Sequence, residues 1–223
     1  MKKIRFAVLM SMLLLTYTEV AAQGYSRKKT DSLLAILPML QKDTTRVKAL
    51  YEIAYDYQYI NPVAGVQYGK EAISLATSLQ FKKGIATACA MTGLNYAALT
   101  DFKNALLYET RAITYYRQAG NKGGEAAMLS NISLIYSEQS NYPRALENAY
   151  AALKIYEALS LKTNQAYLLD NIGTIFFRNK NYSKALSCYD KSEAIYTAEK
   201  DRAGLARAKA NKGMVSQKMN ELD

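Results

Sequence analysis

Residues 171–186 read NIGTIFFRNKNYSKAL, and a similar stretch, NISLIYSEQSNYPRAL, stands 40 positions earlier at residues 131–146. A third stretch, MTGLNYAALTDFKNAL, lies a further 40 positions back at residues 91–106. The three stretches share columns of small residues, aromatic residues and alanines: Gly93, Ser133 and Gly173; Tyr96, Tyr136 and Phe176; Ala105, Ala145 and Ala185. Such fixed spacing is typical of stacked helical repeats rather than of one globular core. The sequence therefore predicts an all-α solenoid.

The period also predicts the individual helices. N-cap residues, a proline after Asn61 and apolar stripes indicate antiparallel pairs at about 44–80, 84–119, 124–160 and 164–200, then a final helix at about 204–221. The first helices of the later pairs are expected to begin near Gly84, Gly124, Asn164 and Gly204. Before this array, residues 23–43 form a linker and a short helix, which Thr30-Asp31 caps and Pro38 kinks or ends.

The small-residue columns predict where the two helices of a pair approach closely. Ser133 is expected to meet Ala145, and Gly173 to meet Ala185, while the aromatic residues fill the wider gaps around them. A larger side chain at these positions would overpack the interface at a cost of about 1–3 kcal/mol.

The first 22 residues have the pattern of a secretory signal peptide. Lys2, Lys3 and Arg5 precede the apolar stretch 6–15, and Val20-Ala21-Ala22 supplies small residues for cleavage. Export to the periplasm or the exterior is expected, with no further membrane span in this chain, and an uncleaved anchor is the alternative. Cleavage would remove three basic residues and one acidic residue, so the formal charge would fall from +10 to +8. Export disfavours nucleic acid as a partner of this basic chain.

The composition argues against catalysis. The chain has no histidine and two cysteines, which rules out Ser-His-Asp and Cys-His sites and leaves no ordinary zinc-ligand spacing. We therefore predict no enzymatic activity, no metal and no cofactor. Glutamates such as Glu109, Glu147 and Glu157 are expected on outer, solvated helix faces.

The arrangement resembles the tetratricopeptide repeat family, through residues 171–176 and 181–186 and their echoes at 131–136 and 141–146. Its period of 40 exceeds the usual repeat of about 34 residues and is similar to the longer repeats of kinesin light chain and Pins-type adaptors. The resemblance implies a right-handed superhelix. The first helix of each pair would line a concave groove that binds an extended or helical peptide, without cofactor.

The resemblance also suggests which residues line this groove. Asn131, Asn171 and Asn211 form a column whose amides could bind a peptide backbone, because an amide both donates and accepts hydrogen bonds. The alternative is that these asparagines only fix helix stacking. The other predicted groove residues, which could equally be an ordinary solvated face, are Tyr55, Tyr59, Leu94, Tyr167, Asp170 and Arg178, with Arg207 and Met214 on the last helix.

A second column is basic throughout: Lys42, Lys82, Lys122, Lys162 and Arg202. We expect these cations just after the second helix of each pair, where they would complement the negative helix end. The alternative is a positive edge that attracts an acidic partner.

Two functions lead from the sequence, ahead of a weaker third in which the basic edge binds anionic membranes or polysaccharides. One is an exported scaffold that gathers protein partners in its groove. The other, implied by the resemblance alone, is the N-terminal sensory ectodomain of a longer transmembrane signalling protein, such as a histidine kinase, cyclase or transcriptional regulator. In that case the chain would be a fragment that ends within a fifth helix pair.

Overall fold

The computed structural model describes residues 29–221, which form two compact units divided between Leu99 and Thr100. The first unit holds α1 (residues 29–36), a 3-10 turn at Leu37–Met39, α2 (Thr44–Tyr57), α3 (Pro62–Ser78) and α4 (Lys82–Ala98). The second unit holds α5 (Phe102–Gln118), α6 (Lys122–Glu138), α7 (Tyr142–Ala158), α8 (Lys162–Arg178), α9 (Tyr182–Ala198) and α10 (Arg202–Asn220). Between residues 29 and 221 there is no β-strand, so the all-α prediction is confirmed. The predicted signal peptide at 1–22 lies outside the described residues.

Within each unit, every helix from α2 onward packs against the helix that follows it. In the second unit α8 also touches α6 and α10, the alternate helices on either side of it. Each amphipathic helix therefore buries its apolar side against sequence neighbours, as expected for a solenoid.

The helices from α3 to α9 are each 17 residues long, and three-residue connections join them within a unit. The middle residue of these connections has a positive φ of 53° to 66°: Gln80, Gly120, Ser140, Ser160, Lys180 and Lys200. The residue after it donates its backbone N–H to a carbonyl five residues back, as Asn181 does to Phe176 at 2.8 Å. This is the Schellman motif, which satisfies the last carbonyls of a helix. Only Gly120 is a glycine, so residue type does not reveal the other turns.

Side-chain caps set the helix starts. The residues before five of the helices, Asp43, Asn61, Asp101, Asn141 and Asn181, all accept a backbone N–H from the first turn of the helix that follows. The first helices of the later pairs begin two residues before the predicted positions, at Lys82, Lys122, Lys162 and Arg202. The earlier start places the capping residues Asn121 and Asp201 directly before α6 and α10.

The core of the first unit is formed by Val47, Leu50, Ile53 and Ala54 of α2, all fully buried. The predicted cap at Thr30-Asp31 is wrong, because residues 29 and 30 are already helical. The Thr30 hydroxyl instead donates to Asp56 Oδ2 at 2.6 Å and ties α1 to α2. Pro38 lies in the 3-10 turn that follows α1.

In the second unit, Ala145 and Ala185 are fully buried, as close helix packing requires. The expected partner of Gly173 needs correction, because the atoms that a methyl group at this position would meet first belong to the ring of Tyr189, not to Ala185. A Cβ at Gly173 would lie 2.6 Å from Tyr189 Cε1. Tyr189 is one helical turn beyond Ala185 on α9. The missing side chain at Gly173 therefore makes room for the Tyr189 ring. Gly213, in the same column on α10, has no such neighbour within 4 Å.

The two cysteines, Cys89 and Cys188, are both buried, and they lie in different units. Each is accommodated as a small apolar residue of the packing.

Candidate peptide-binding surface

The helices α6, α8 and α10 present one side of the second unit to solvent. We call this side the α6–α8–α10 face and define it by Leu134, Glu138, Tyr167, Arg178, Arg207 and Met214. All six side chains are at least partly exposed, from 36% for Leu134 to 53% for Glu138. The face corresponds to the part of the predicted groove that lies in the second unit.

Asp170 lies beneath this face and joins three helices. Its carboxylate accepts hydrogen bonds from the Ser192 hydroxyl, from the Tyr196 hydroxyl at 3.3 Å and from Arg207 Nε at 3.0 Å. Asp170 itself is 2% exposed. In this conformation the side chain holds α8 to α9 and α10, and it does not project toward a ligand as the sequence prediction supposed.

Arg207 reaches the surface above that carboxylate. Its guanidinium carbon lies 4.9 Å from the centre of the Tyr167 ring and 5.5 Å from that of Tyr196. Arg207 Nη2 also donates to the Tyr196 hydroxyl. Burial and the nearby Asp170 carboxylate raise the pKa of Tyr196 to about 12, so this hydroxyl stays protonated. The stacking and the hydrogen bonds together fix the orientation of the guanidinium.

Arg178 is the second cation of the face. Arg178 Nη1 lies 2.7 Å from Glu138 Oε1, and the two side chains are 40% and 53% exposed. This pair links α6 to α8 in water, where an exposed ion pair contributes only about 0–1 kcal/mol. Arg178 can therefore exchange Glu138 for another carboxylate at little cost.

The three asparagines of the column at 131, 171 and 211 differ in their hydrogen bonds and burial. Asn131 Nδ2 donates to Glu109 Oε1 on α5 at 3.2 Å, so this amide is engaged in helix packing. Asn171 Nδ2 is buried and has no hydrogen-bond partner in the described structure. Asn211 is half-buried on α10. Asn131 follows the stacking alternative, and a contact of Asn171 or Asn211 with a peptide stays a prediction.

Glu109 is the residue that the sequence interpretation placed wrongly. It was expected on a solvated face, but it is fully buried, and burial raises its pKa to about 8 despite the hydrogen bond from Asn131. Glu109 Oε2 has no partner among the described residues. Its column holds Ala149 and Tyr189, both buried, and this was the signal that could have located it.

In the first unit, the predicted groove residues lie on α2, on the turn after it and on α4. Tyr55 is 46% exposed, Tyr59 is 73% exposed and Leu94 is half-buried. The same region exposes Ile60 and Val63, so aromatic and apolar side chains face water there. Exposed apolar groups in one place are typical of an interaction surface.

The basic column lies at helix starts. Lys82, Lys122, Lys162 and Arg202 follow the second helix of a pair after a three-residue turn, close to the expected place, and they are the first residues of α4, α6, α8 and α10. Their effect on the preceding helix end stays a prediction. All four are exposed, and Lys122 Nζ is bound to Glu125 at 2.9 Å.

Residues 29–221 offer neither a metal cluster nor a membrane-spanning helix. This part of the chain has no group of three or more histidine, cysteine, aspartate or glutamate side chains arranged to hold a metal ion. None of its helices combines the length and the apolar character that crossing a membrane requires.

Comparison with known proteins gives the class of this chain. The sequence profile of the tetratricopeptide repeat matches residues 124–198, from α6 to the end of α9. No curated protein sequence matches the chain significantly.

Solved structures match over most of the chain. A signal transduction ATPase with a tetratricopeptide repeat sensor, from Pyrococcus horikoshii, has a TM-score of 0.73 at 16% identity, over 87% of this chain and 30% of that one. A Rap protein complexed with competence and sporulation factor has a TM-score of 0.71 at 18% identity, over 84% and 55%. A putative kinesin light chain from Podospora anserina has a TM-score of 0.60 at 14% identity, over 82% and 94%. The chain thus spans less than two thirds of the first two proteins, and at these identities the likeness concerns the fold.

The described chain is an α-helical repeat protein built from consecutive, sequentially packed helices. The tetratricopeptide repeat profile covers residues 124–198, and the structural matches share the fold of the helices before and after them. The resemblance found in the sequence, including that to kinesin light chain, is confirmed at the level of the fold.

Proposed function

We propose that this chain is an exported scaffold that binds a peptide or protein segment on the α6–α8–α10 face, without a catalytic step. The observation that supports this proposal is the composition of the face. Tyr167 is 46% exposed and stacks on the oriented guanidinium of Arg207, and Met214, seven residues further along α10, is 50% exposed. Aromatic, methionine and arginine side chains are enriched at protein interfaces.

The Rap protein supports the same kind of role, because its structure is a complex with competence and sporulation factor. Tyr167, Asn171, Asn211 and Met214 would then offer a bound segment apolar contact and backbone hydrogen bonds.

Panning a phage-displayed library of random dodecapeptides on the full-length protein tests this function. We expect enriched peptides whose binding is lost in the double variant Leu134→Ser/Met214→Ser. The matched control is Leu107→Ser/Leu159→Ser, which removes exposed apolar side chains, 53% and 42% exposed, from outside the face. Equal binding by both double variants would place the binding site elsewhere.

Export is part of the proposal and rests on residues 1–22 alone. Expression of the intact coding sequence in a Gram-negative host, followed by fractionation and N-terminal sequencing, should give a periplasmic protein that begins at Gln23. Recovery of the uncleaved chain with the membrane would favour the anchor.

The sensory ectodomain is the second candidate function, favoured by the ATPase whose tetratricopeptide repeats are its sensor. Reading the coding sequence after Asp223 tests it. A segment of about 20 apolar residues followed by a signalling domain would support it, and a stop codon would reject it.

A further inference from the structure

Arg207, one of the two arginines of the α6–α8–α10 face, is held in one orientation before any ligand binds. Asp170, Tyr196 and Tyr167 each contact the Arg207 guanidinium, through an ion pair, a hydrogen bond and stacked rings. A flexible arginine loses side-chain entropy when it binds, and one that is already fixed loses much less.

This guanidinium keeps donors for a further partner. Arginine has five N–H groups, of which Nε and one on Nη2 are used by Asp170 and Tyr196. Among residues 29–221 no acceptor meets the remaining three, and the side chain is 43% exposed. The free donors suit a planar acceptor such as a carboxylate.

The charge around Arg207 also points to an anion. The balancing Asp170 carboxylate is 2% exposed, so a partner that approaches the face meets the cation first. Helix α10, RAGLARAKANKGMVSQKMN, has five basic residues and no acidic residue. Lys209, Lys212 and Lys218 pair with acidic side chains that are themselves accessible, whereas the partner of Arg207 is buried beneath it. An exposed guanidinium above a buried carboxylate is complementary to an acidic side chain of a partner.

We propose that Arg207 anchors a carboxylate side chain of the bound segment, so that the α6–α8–α10 face selects acidic peptides in an extended conformation. The inference rests on the proposed function and adds the chemistry of the partner. Arg207 is the positioned anchor, and Tyr167 provides the aromatic surface beside it.

Arg178 supplies a second contact and sets a spacing. Tyr167, which packs against Arg207, and Arg178 are 11 residues apart on α8. Helical residues rise about 1.5 Å each, so the two cations lie roughly 16 Å apart. An extended chain covers about 3.3 Å per residue. Two acidic side chains about five residues apart would therefore reach both arginines.

The peptides enriched by the panning described above test this inference. We expect aspartate and glutamate to be at least threefold more frequent than in the unselected library, often in pairs about five residues apart. Enrichment on the face without an acidic preference would overturn the inference and leave the proposed function intact. No enrichment on the face would overturn both.

Variants then separate a built anchor from general positive charge. The tightest acidic peptide should bind at least tenfold more weakly to Arg207→Gln and less than twofold more weakly to Lys209→Gln. Both variants remove one charge from α10, and Lys209 is 62% exposed at 4.0 Å from Glu193. Equal losses in the two variants, or equal affinity for a peptide with its acids replaced by amides, would overturn the inference. So would a loss confined to Lys162→Gln, because the basic column would then be the binding site.

Arg207→Lys keeps the test decisive if Arg207→Gln does not fold. Lysine preserves a cation beside Asp170 but cannot bind a carboxylate through two parallel N–H groups. We expect at least fivefold weaker binding, and a loss no larger than that of Lys209→Gln would overturn the inference.

Discussion

The second unit contains two buried acids, Glu109 and Asp170, and they are stabilised in different ways. Glu109 meets one amide, from Asn131, and its pKa of about 8 leaves it protonated at neutral pH. Asp170 meets two hydroxyl groups and the guanidinium of Arg207. A buried carboxyl group can avoid the cost of an isolated charge by binding a proton or by pairing with a cation, and this unit uses both solutions.

The difference decides what each acid can do. The carboxyl group of Glu109 is enclosed and supports packing between α5 and α6. The network around Asp170 extends to the surface through Arg207, so it combines packing with an exposed donor group. One acid therefore serves the fold alone, and the other connects the fold with the candidate binding face.

Removal of the Asp170 carboxylate should have the largest effect. Loss of one partner from a buried ion pair costs about 3–5 kcal/mol, and the partial exposure of Arg207 reduces this to about 3 kcal/mol for Asp170→Ala. The matched control is Asp190→Ala, whose exposed carboxylate lies 2.6 Å from Lys212 and should cost less than about 1 kcal/mol. Urea unfolding measures both. Equal costs would show that the network does not hold α8, α9 and α10 together.

The Glu109 site should make stability depend on pH. The folded pKa of about 8 lies above the ordinary value of 4.5, so the unfolded chain binds fewer protons between these values. The stability that the protonated Glu109 contributes is therefore fully present below pH 4.5 and is lost as pH rises toward 8.

Glu109→Gln should remove this part of the pH dependence, so its stabilising effect relative to the unchanged protein should be absent at pH 4.5 and grow as pH rises to 8. Urea unfolding from pH 5 to 9 measures it, with Glu147→Gln, an exposed glutamate on α7, as control. A pH profile identical to that of the unchanged protein would mean that Glu109 is not the titrating group.

Gly173→Ala tests the packing beside the Asp170 network. A methyl group there would meet the Tyr189 ring at 2.6 Å. Overpacking costs about 2 kcal/mol, and the better helix propensity of alanine returns about 1 kcal/mol. A net loss of about 1 kcal/mol is expected in thermal or urea unfolding, and a stabilised variant would show that Tyr189 moves away freely.

Gly213→Ala should have the smallest effect and the opposite sign. The same column position on α10 has open space within 4 Å, so only the helix propensity changes. A gain of about 0.5–1 kcal/mol is expected from the same unfolding measurement. A loss would indicate that another chain or segment covers this side of α10 in solution.

The sequence predicted the helices because their determinants are local. Asn141 and Asn181 cap the helices that follow them, and the columns at Ala145 and Ala185 mark the packed faces. The left-handed turns escaped prediction because Ser140 and Lys180 are not the glycines that usually signal them.

The candidate site was less predictable because its contacts are distant in sequence. Asp170 bonds to residues 22, 26 and 37 positions away, and residue types alone do not show whether an acid on a helix faces a ligand or a neighbouring helix. The period could have indicated the burial of Glu109, since its column contains only uncharged residues at Gly69, Ala149 and Tyr189.

The uniform connections between the helices allow whole repeats to be removed or added. Because 17-residue helices alternate with three-residue turns of one backbone geometry, excision of residues 122–161 would join Asn121 directly to Lys162 and leave each remaining helix and turn intact. Duplication of residues 122–161 would likewise leave every helix and turn intact. Gain and loss of repeats during evolution should therefore occur in steps of 40 residues, and insertions of other lengths should be confined to the turns.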